Sequence, residues 1–538
     1  MAFRRGIHPP RRQRGLALLI LLMIVSLSAS YLLLKTFNKS SSTLAVTRNN
    51  RTQVALMQAK QALLTYAATV GAEKSMDLSK IYPGVPGYLP CPDLGASMTT
   101  TVAEGQAAST CGSPLVSQIG RLPWYSLGLD ALKDSSGECL WYAVSGTYKA
   151  ALNGVTGVST SNMMNWDTRG LFDVFADGGV NYLTGGSNPA TRAVAVIFAP
   201  GARLNAQDRT PTAVSSPNTG APNCGGNYTV ASYLESANGV DNTSVVSSAA
   251  DTIVQFIAGN KSDTFNDQLV YITREELWTA IKKRPDFQDY LTGIPNGIAY
   301  KVASCLANFG NNNQKFFSNG DRRLPSPAAV SLSITTLSTY MLDASYDDVD
   351  LRIVGRVPFL VNNSRSGSGS TRPINNLLSP YYLFSLTSSS TNCYSLLSNA
   401  DIAWYENWKD HLFYAVSNAY RPRATPNTPV ATCDTTNCIQ VGGSAMRYAG
   451  VVIFAGERNS SQSRETATDR SLAANYLEGA NSSNISLVSP GGNENYVYTS
   501  PGVTPFNDTL YCILTNYQIN ATPPNPYAPP YALPVLCP

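Results

Sequence analysis

The sequence predicts an α+β protein in which one long N-terminal helix carries two related antiparallel-sheet modules. Three observations lead there. Leu16 to Leu34 is a run of nineteen residues without a charge. The chain then continues from Lys35 to about Val70 without a proline or glycine. Farther on, four blocks of sequence recur in the same order, each reading as a strand, a turn or a short helix.

The helix comes first. Nineteen uncharged residues are long enough to cross a bilayer core of ~30 Å as a helix. All five arginines before the run, Arg4, Arg5, Arg11, Arg12 and Arg14, stand without an acid among them. That bias holds the N-terminal end in the cytoplasm and sends the rest of the chain across. In the continuation, Leu44, Val54, Leu56, Met57, Leu63, Leu64 and Val70 form a loosely amphipathic pattern. One continuous rod of roughly 80 Å follows at 1.5 Å per residue. An ordinary secretory signal also begins with a basic region, and Ser28-Ala29-Ser30 would serve as its cleavage site. Gly15, placed between the basic run and the apolar run, favours the other reading.

A basic leader ending in glycine, an apolar helix and an amphipathic continuation resemble the class III signal and stalk of type IV pilins and type II secretion pseudopilins. The resemblance implies cleavage after Gly15 by a prepilin peptidase, a mature chain starting at an N-methylated Leu16, and a span from Leu16 to Leu34. It also implies a place in the inner membrane with the C-terminal region periplasmic, or at the tip of a surface fibre among other pilin or pseudopilin subunits. One position departs from the pattern: the glutamate usual at the fifth mature residue is Ile20 here. Large minor members share that absence, so the resemblance points to a minor subunit.

Composition suits an exported head. The chain has 538 residues, more than one ordinary domain needs. Only 14% are charged. All ten cysteines lie beyond the apolar run, where pairing is expected. Proximity suggests Cys91 with Cys111 and Cys433 with Cys438, although spacing alone does not fix connectivity. Losing the leader's five arginines, with no acid, lowers the net charge of +4 by five, to −1. A near-neutral ectodomain lacks the basic field that phosphates require, so no nucleic-acid partner is expected.

The head divides as follows. Residues 1–15 are the leader, 16–72 the span and stalk, 73–300 a first α+β module, 301–375 a linker or insert, and 376–538 a diverged second module with a Pro-rich tail. In the first module LPCPD, a later cysteine, GRLPW, LGL and LWYAV, between Tyr88 and Tyr148, look like a signature of prepilin-type proteins. LWYAVSGTYK, from Leu140 to Lys149, recurs as LFYAVSNAYR, from Leu412 to Arg421. The segment from Arg192 to Arg209 recurs from Tyr448 to Arg470. ASYLESANGVDN, from Ala231, recurs as ANYLEGANSSN, from Ala474, and TFNDQLVYIT, from Thr264, as PFNDTLYCILT, from Pro505. A capped amphipathic helix is predicted from about Thr273 to Lys283, stopping before Pro285. The second copy shows no clear counterpart of the LPCPD and LPW header. SRSGSGSTRP reads as a flexible linker, and the tail as a surface segment tethered through Cys537.

Catalytic chemistry finds little purchase. There are two histidines, His8 in the leader and His411, and no HExxH, GxSxG or P-loop. His411 reads as a surface or strand-edge residue, and no enzyme is expected. Two acidic sets, Asp343/Asp347/Asp348/Asp350 and Asp167/Asp173/Asp177, are calcium candidates without EF-hand spacing. The functional expectation is a non-enzymatic minor pilin-like or pseudopilin-like subunit at a fibre tip. The alternative is a signal-anchored periplasmic binding or hydrolytic protein.

Overall fold

The structure is a computed structural model that describes residues 46–69, 85–95, 104–108, 111–113, 115–149, 163–211, 223–312, 323–330, 343–349, 352–361, 381–384, 393, 396–422, 433–488, 490–498, 506–515 and 531–538. Within them the protein is α+β. Gly15, Leu16, Leu34 and the SRSGSGSTRP segment lie outside the described residues. No helix among the described residues is long and apolar enough to cross a membrane.

Helix α1 occupies residues 46–69. Its Ala55, Leu56, Ala59, Leu63 and Ala67 are buried, one face of a helix turning every 3.6 residues. On the opposite side Val46, Val54 and Met57 are exposed, Val54 to 66%. The buried face packs onto the first sheet. Its strands are β1 (Gln118–Arg121), β2 (Trp141–Val144), β3 (Phe172–Phe175), β4 (Tyr182–Thr184) and β5 (Ala193–Ala199). A two-stranded ribbon of β6 (Ser236–Ala237) and β7 (Val240–Asp241) precedes β8 (Val254–Ile257) and β9 (Gln268–Thr273). Strand order is β1-β2-β5-β3-β4, with β8 on β3 and β9 on β5. Every residue of β5 is buried, as an unbroken apolar run at the centre of a sheet must be.

Three helices follow: α2 (Arg274–Lys282), α3 (Phe287–Thr292) and α4 (Ile298–Asn312). The predicted helix after Thr273 is α2, opened by a capping box in which Thr273 and Glu276 satisfy each other's backbone N–H. The second sheet contains β10 (Val354–Arg356), then, after a ribbon of β11 (Leu360–Val361) with β12 (Tyr381–Tyr382) and helix α5 (Asn399–Trp408), strand β13 (Leu412–Val416). After β14 (Gln440–Val441) come β15 (Gly450–Phe454), α6 (Ala467–Arg470), α7 (Gly479–Ile485), β16 (Asn495–Tyr496), β17 (Thr509–Ile513) and β18 (Val535–Leu536). Its order is β10-β13-β15-β17-β18, with β14 and β16 paired separately and in parallel.

The recurring blocks occupy matching places. β2 pairs antiparallel with β5 and β13 with β15; β5 pairs with β9 and β15 with β17. The parallel pair β3/β8 has its counterpart in β14/β16.

Two expectations need correction. Residues 301–375, read as linker or insert, supply most of α4 and all of β10, so the second sheet draws on chain well before residue 376. The second header also exists. Leu324-Pro325-Ser326-Pro327-Ala328 stands where Leu89-Pro90-Cys91-Pro92-Asp93 stands in the first copy. Leu89 N–H donates to Tyr148 O at 2.8 Å and Leu324 N–H to Tyr420 O at 3.0 Å. Asp93 bridges Arg121 as Ala328 bridges Arg356. Ile119-Gly120-Arg121-Leu122-Pro123 then matches Val354-Gly355-Arg356-Val357-Pro358. Both glycines are needed, because a Cβ on Gly120 would lie 2.7 Å from Asp93 O, and one on Gly355 would collide with Ala328 O.

Candidate functional site

Each sheet is closed by the same polar clasp, built from the loops that follow the central strand. In the first, Gln207 donates to Glu235 Oε1 at 2.5 Å, and Asn266 N–H donates to Glu235 Oε2 at 2.9 Å. Asp267 Oδ2 accepts from Glu235 N–H at 3.0 Å and from Asn242 Nδ2 at 2.9 Å, while Asn242 Oδ1 takes Ile257 N–H at 2.9 Å. In the second, Gln462, Glu478, Asn507, Asp508, Asn481 and Val497 repeat every one of these bonds. The sequence blocks align Asn481 with Asn238, but Asn242 holds the equivalent role, because the β6/β7 ribbon is an extra turn of chain in the first copy.

Beside each clasp a tyrosine lies between two arginines. The guanidinium carbons of Arg121 and Arg209 sit 5.6 and 4.7 Å from the Tyr233 ring centre. Those of Arg356 and Arg464 sit 4.9 and 4.3 Å from Tyr476. Desolvated contacts of this kind are among the stronger cation–π pairs.

In each clasp two carboxyls share a buried site, Glu235 with Asp267 and Glu478 with Asp508. Burial and the neighbouring Glu235 raise Asp267 well above the usual carboxylate range; burial and Glu478 do the same to Asp508. A carboxyl raised in the folded state binds more protons there than in the unfolded chain, so its contribution to stability falls as pH rises from about 4. Asp508→Asn, which carries its own donor at that position, is expected to gain on the wild type steadily with pH. Urea unfolding between pH 4 and 8 measures this, and a variant that loses ground as pH rises contradicts it.

The two copies differ where they meet. Arg209 pairs with Glu138 of its own sheet at 3.1 Å. Arg464, its counterpart, reaches out of its sheet to Asp167 Oδ2 at 2.8 Å. The acid equivalent to Glu138 is Asp410, which instead takes Arg470 at 3.0 Å and Tyr476 OH at 3.0 Å. His411 completes the junction. Its Nε2 lies 3.1 Å from Asp167 Oδ2 and its Nδ1 3.0 Å from Ala455 O, so both ring nitrogens face oxygen acceptors. Arg470 Nη2 donates to Asp167 O at 2.7 Å, and Arg274 joins Glu465 at 2.7 Å. Burial alone would raise Asp167, but Arg464, His411 and Arg470 outweigh it and hold the carboxyl well below its ordinary value. His411 is therefore a fully buried partner of the other copy, not the surface or edge residue expected.

Asp167, Asp173 and Asp177 are each held by a different partner. Asp167 is spent on the junction, Asp173 pairs with Arg192 at 2.9 Å, and Asp177 holds Asn260. Asp348 is buried, with its backbone bonded to Leu360, and Asp350 lies outside the described residues. Asp343 and Asp347 sit in or beside a short 3-10 turn. Among the described residues no group of three His, Cys, Asp or Glu is placed to hold a metal ion. The ten cysteines form Cys91–Cys111, Cys139–Cys224, Cys305–Cys393, Cys433–Cys438 and Cys512–Cys537.

A groove of about 570 Å³ runs between α1 and α2, lined by Gln61, Thr65, Thr69, Glu275, Thr279 and Lys283 among others. No family model, no curated protein and no solved structure matches the chain.

Proposed function

We propose that the chain is a non-enzymatic minor subunit of a pilin-like or pseudopilin-like fibre, seated at the tip of a type IV pilus or type II secretion pseudopilus. In this reading the head is a tandem duplication carried on a stalk whose lower part is Leu16–Leu34. A prepilin peptidase cuts after Gly15, the apolar helix resides in the inner membrane before assembly, and the head faces the periplasm. The observation that carries the reading is the order of three segments: acid-free arginines, Gly15, then an uncharged run leading into α1.

Two features of the head support it. Val46, Val54 and Met57 leave an apolar stripe on the half of α1 nearest the apolar run, where a neighbouring helix would pack. The buried ionisable groups of the clasps and of the junction are spent on one another, which suits a rigid structural head. A head this bulky fits the tip better than the shaft, and without an acid at Ile20 the subunit lacks the usual carboxylate for a neighbour's N-terminal amine.

Gly15→Val tests the proposal in cells. The expected result is an unprocessed, larger form confined to the membrane and missing from sheared fibres. Unchanged mobility and location on immunoblots would overturn it in favour of a signal-anchored periplasmic protein.

A further inference from the structure

We propose that the outer edge of β9, unpaired among the described residues, accepts an extended, uncharged segment of a partner polypeptide as an added antiparallel strand. The inference stands on the comparison of two sister edges and not on the assembly reading above. β9 and β17 are the same strand in the two sheets, each pairing with the central strand through one edge. The outer edge of β17 is filled. Tyr511 and Cys512 pair with Leu536 and Val535 of β18, Cys537 N–H donates to Leu510 O at 3.0 Å, and Ala532 N–H to Leu514 O at 2.9 Å. The Cys512–Cys537 bond staples that strand in place.

Among the described residues β9 pairs with β5 alone. Its outward groups follow from the sister strand: Leu269, Tyr271 and Thr273 stand where Leu510, Cys512 and Leu514 do. Thr273 N–H is taken by the Glu276 carboxylate at 3.0 Å in the cap of α2. Leu269 and Tyr271 are left, a stretch as long as the two residues β18 contributes. Gln268 to Tyr271 are half-buried, whereas every residue of β17 is buried.

Unpaired strand edges are normally blunted by charge, proline or a bulge. QLVYIT has neither charge nor proline, and the devices nearby sit at the Thr273 end. The register shift on β5 lies between Ala193 and Ala195. Lys60 of α1 is drawn toward the same end by Glu276, 2.7 Å away, with Nζ 5.9 Å from the Tyr271 ring. At the Leu269 half the neighbour is Gln53 of α1, whose side-chain amide donates to Gln268 Oε1 at 3.2 Å and carries no charge, and an added strand gains main-chain hydrogen bonds there with alternate side chains on the two faces.

The occupant is read from the sister edge, which takes Val535 and Leu536 from a proline-flanked tail without charge, YALPVLCP. That tail is stapled to its own β17, so the donor at β9 is an equivalent segment of another polypeptide. A dye-labelled peptide copying residues 531–538, with serine in place of Cys537, is the probe, and the full chain in detergent is the target. Fluorescence anisotropy is expected to show saturable binding that weakens at least tenfold in Tyr271→Pro, which removes an outward N–H, and in Tyr271→Lys, which places a charge on the edge. The lysine variant keeps the β5 pairing intact if the proline variant does not fold. No saturable binding, or binding unchanged in Tyr271→Lys, overturns the proposal. So does self-association of the full chain that Tyr271→Lys abolishes, since the occupant is then a second copy.

Discussion

Asp167→Ala is expected to destabilise the head by about 3–5 kcal/mol, the range for removing one partner of a buried ion pair. Asp167 is 1% exposed and lies between Arg464 and His411, which come from the other copy. Its loss leaves Arg464 buried with Gly456 O, Asn475 O and Gln462 Oε1 as its remaining acceptors, and His411 Nε2 facing Asp410 Oδ1 at 3.8 Å in place of the closer oxygen. The penalty is mostly that of stranded charge, so it exceeds what the pair itself contributes in the wild type. Because the carboxyl is depressed in the folded state, its contribution is present above the unfolded value of about 4 and fades as pH falls below it. Urea unfolding at pH 7 and pH 3 therefore separates the variants: the gap between Asp167→Ala and wild type narrows in acid. A gap under about 1 kcal/mol at pH 7, the scale of an exposed ion pair, would show that the junction is solvated.

Trp408→Ala is expected to cost about 3–5 kcal/mol, as large aromatic truncations in a core do. The indole is fully buried at the end of α5, where the two sheets meet. Its ring centre lies 4.6 Å from Trp166, 6.0 Å from Trp278, 5.9 Å from Phe454 and 5.2 Å from His411, mostly edge-on or tilted. Trp166 and Trp278 belong to the first copy's chain, Phe454 and His411 to the second's. The cavity opened by alanine would lie against groups held on separate rigid sheets, so little collapse can fill it. Differential scanning calorimetry checks the prediction, and the expected trace is a lower and broader transition as the halves lose their coupling. An unchanged midpoint would show that the aromatic cluster does not bear on their association.

Much of this fold was legible because repetition and local chemistry are local signals. The four repeated blocks contain the central strands β2, β5 and β9 and their sisters. The capping box at Thr273 marks its own helix. Cys433 and Cys438 are close enough in sequence for proximity to suggest their bond. The second header escaped notice because its conspicuous residues are gone: Cys91 is replaced by Ser326 and Asp93 by Ala328. What persists is a backbone demand, a glycine-arginine pair before proline in GRLP and GRVP, and that pattern was the available signal. His411 misled because its partner Asp167 stands 244 positions earlier in the numbering, and a lone histidine before an apolar strand carries no mark of a distant carboxylate. The clasps were half visible as YLE and FND, yet their convergence depends on how two loops close over a sheet end.

The claim that the chain is a processed fibre subunit is tested most directly at its N-terminus. Intact-mass and N-terminal peptide measurements on the protein recovered from membranes are predicted to give a chain beginning at N-methylated Leu16. A chain that retains Met1, or one that begins just after Ser28-Ala29-Ser30, would contradict the account.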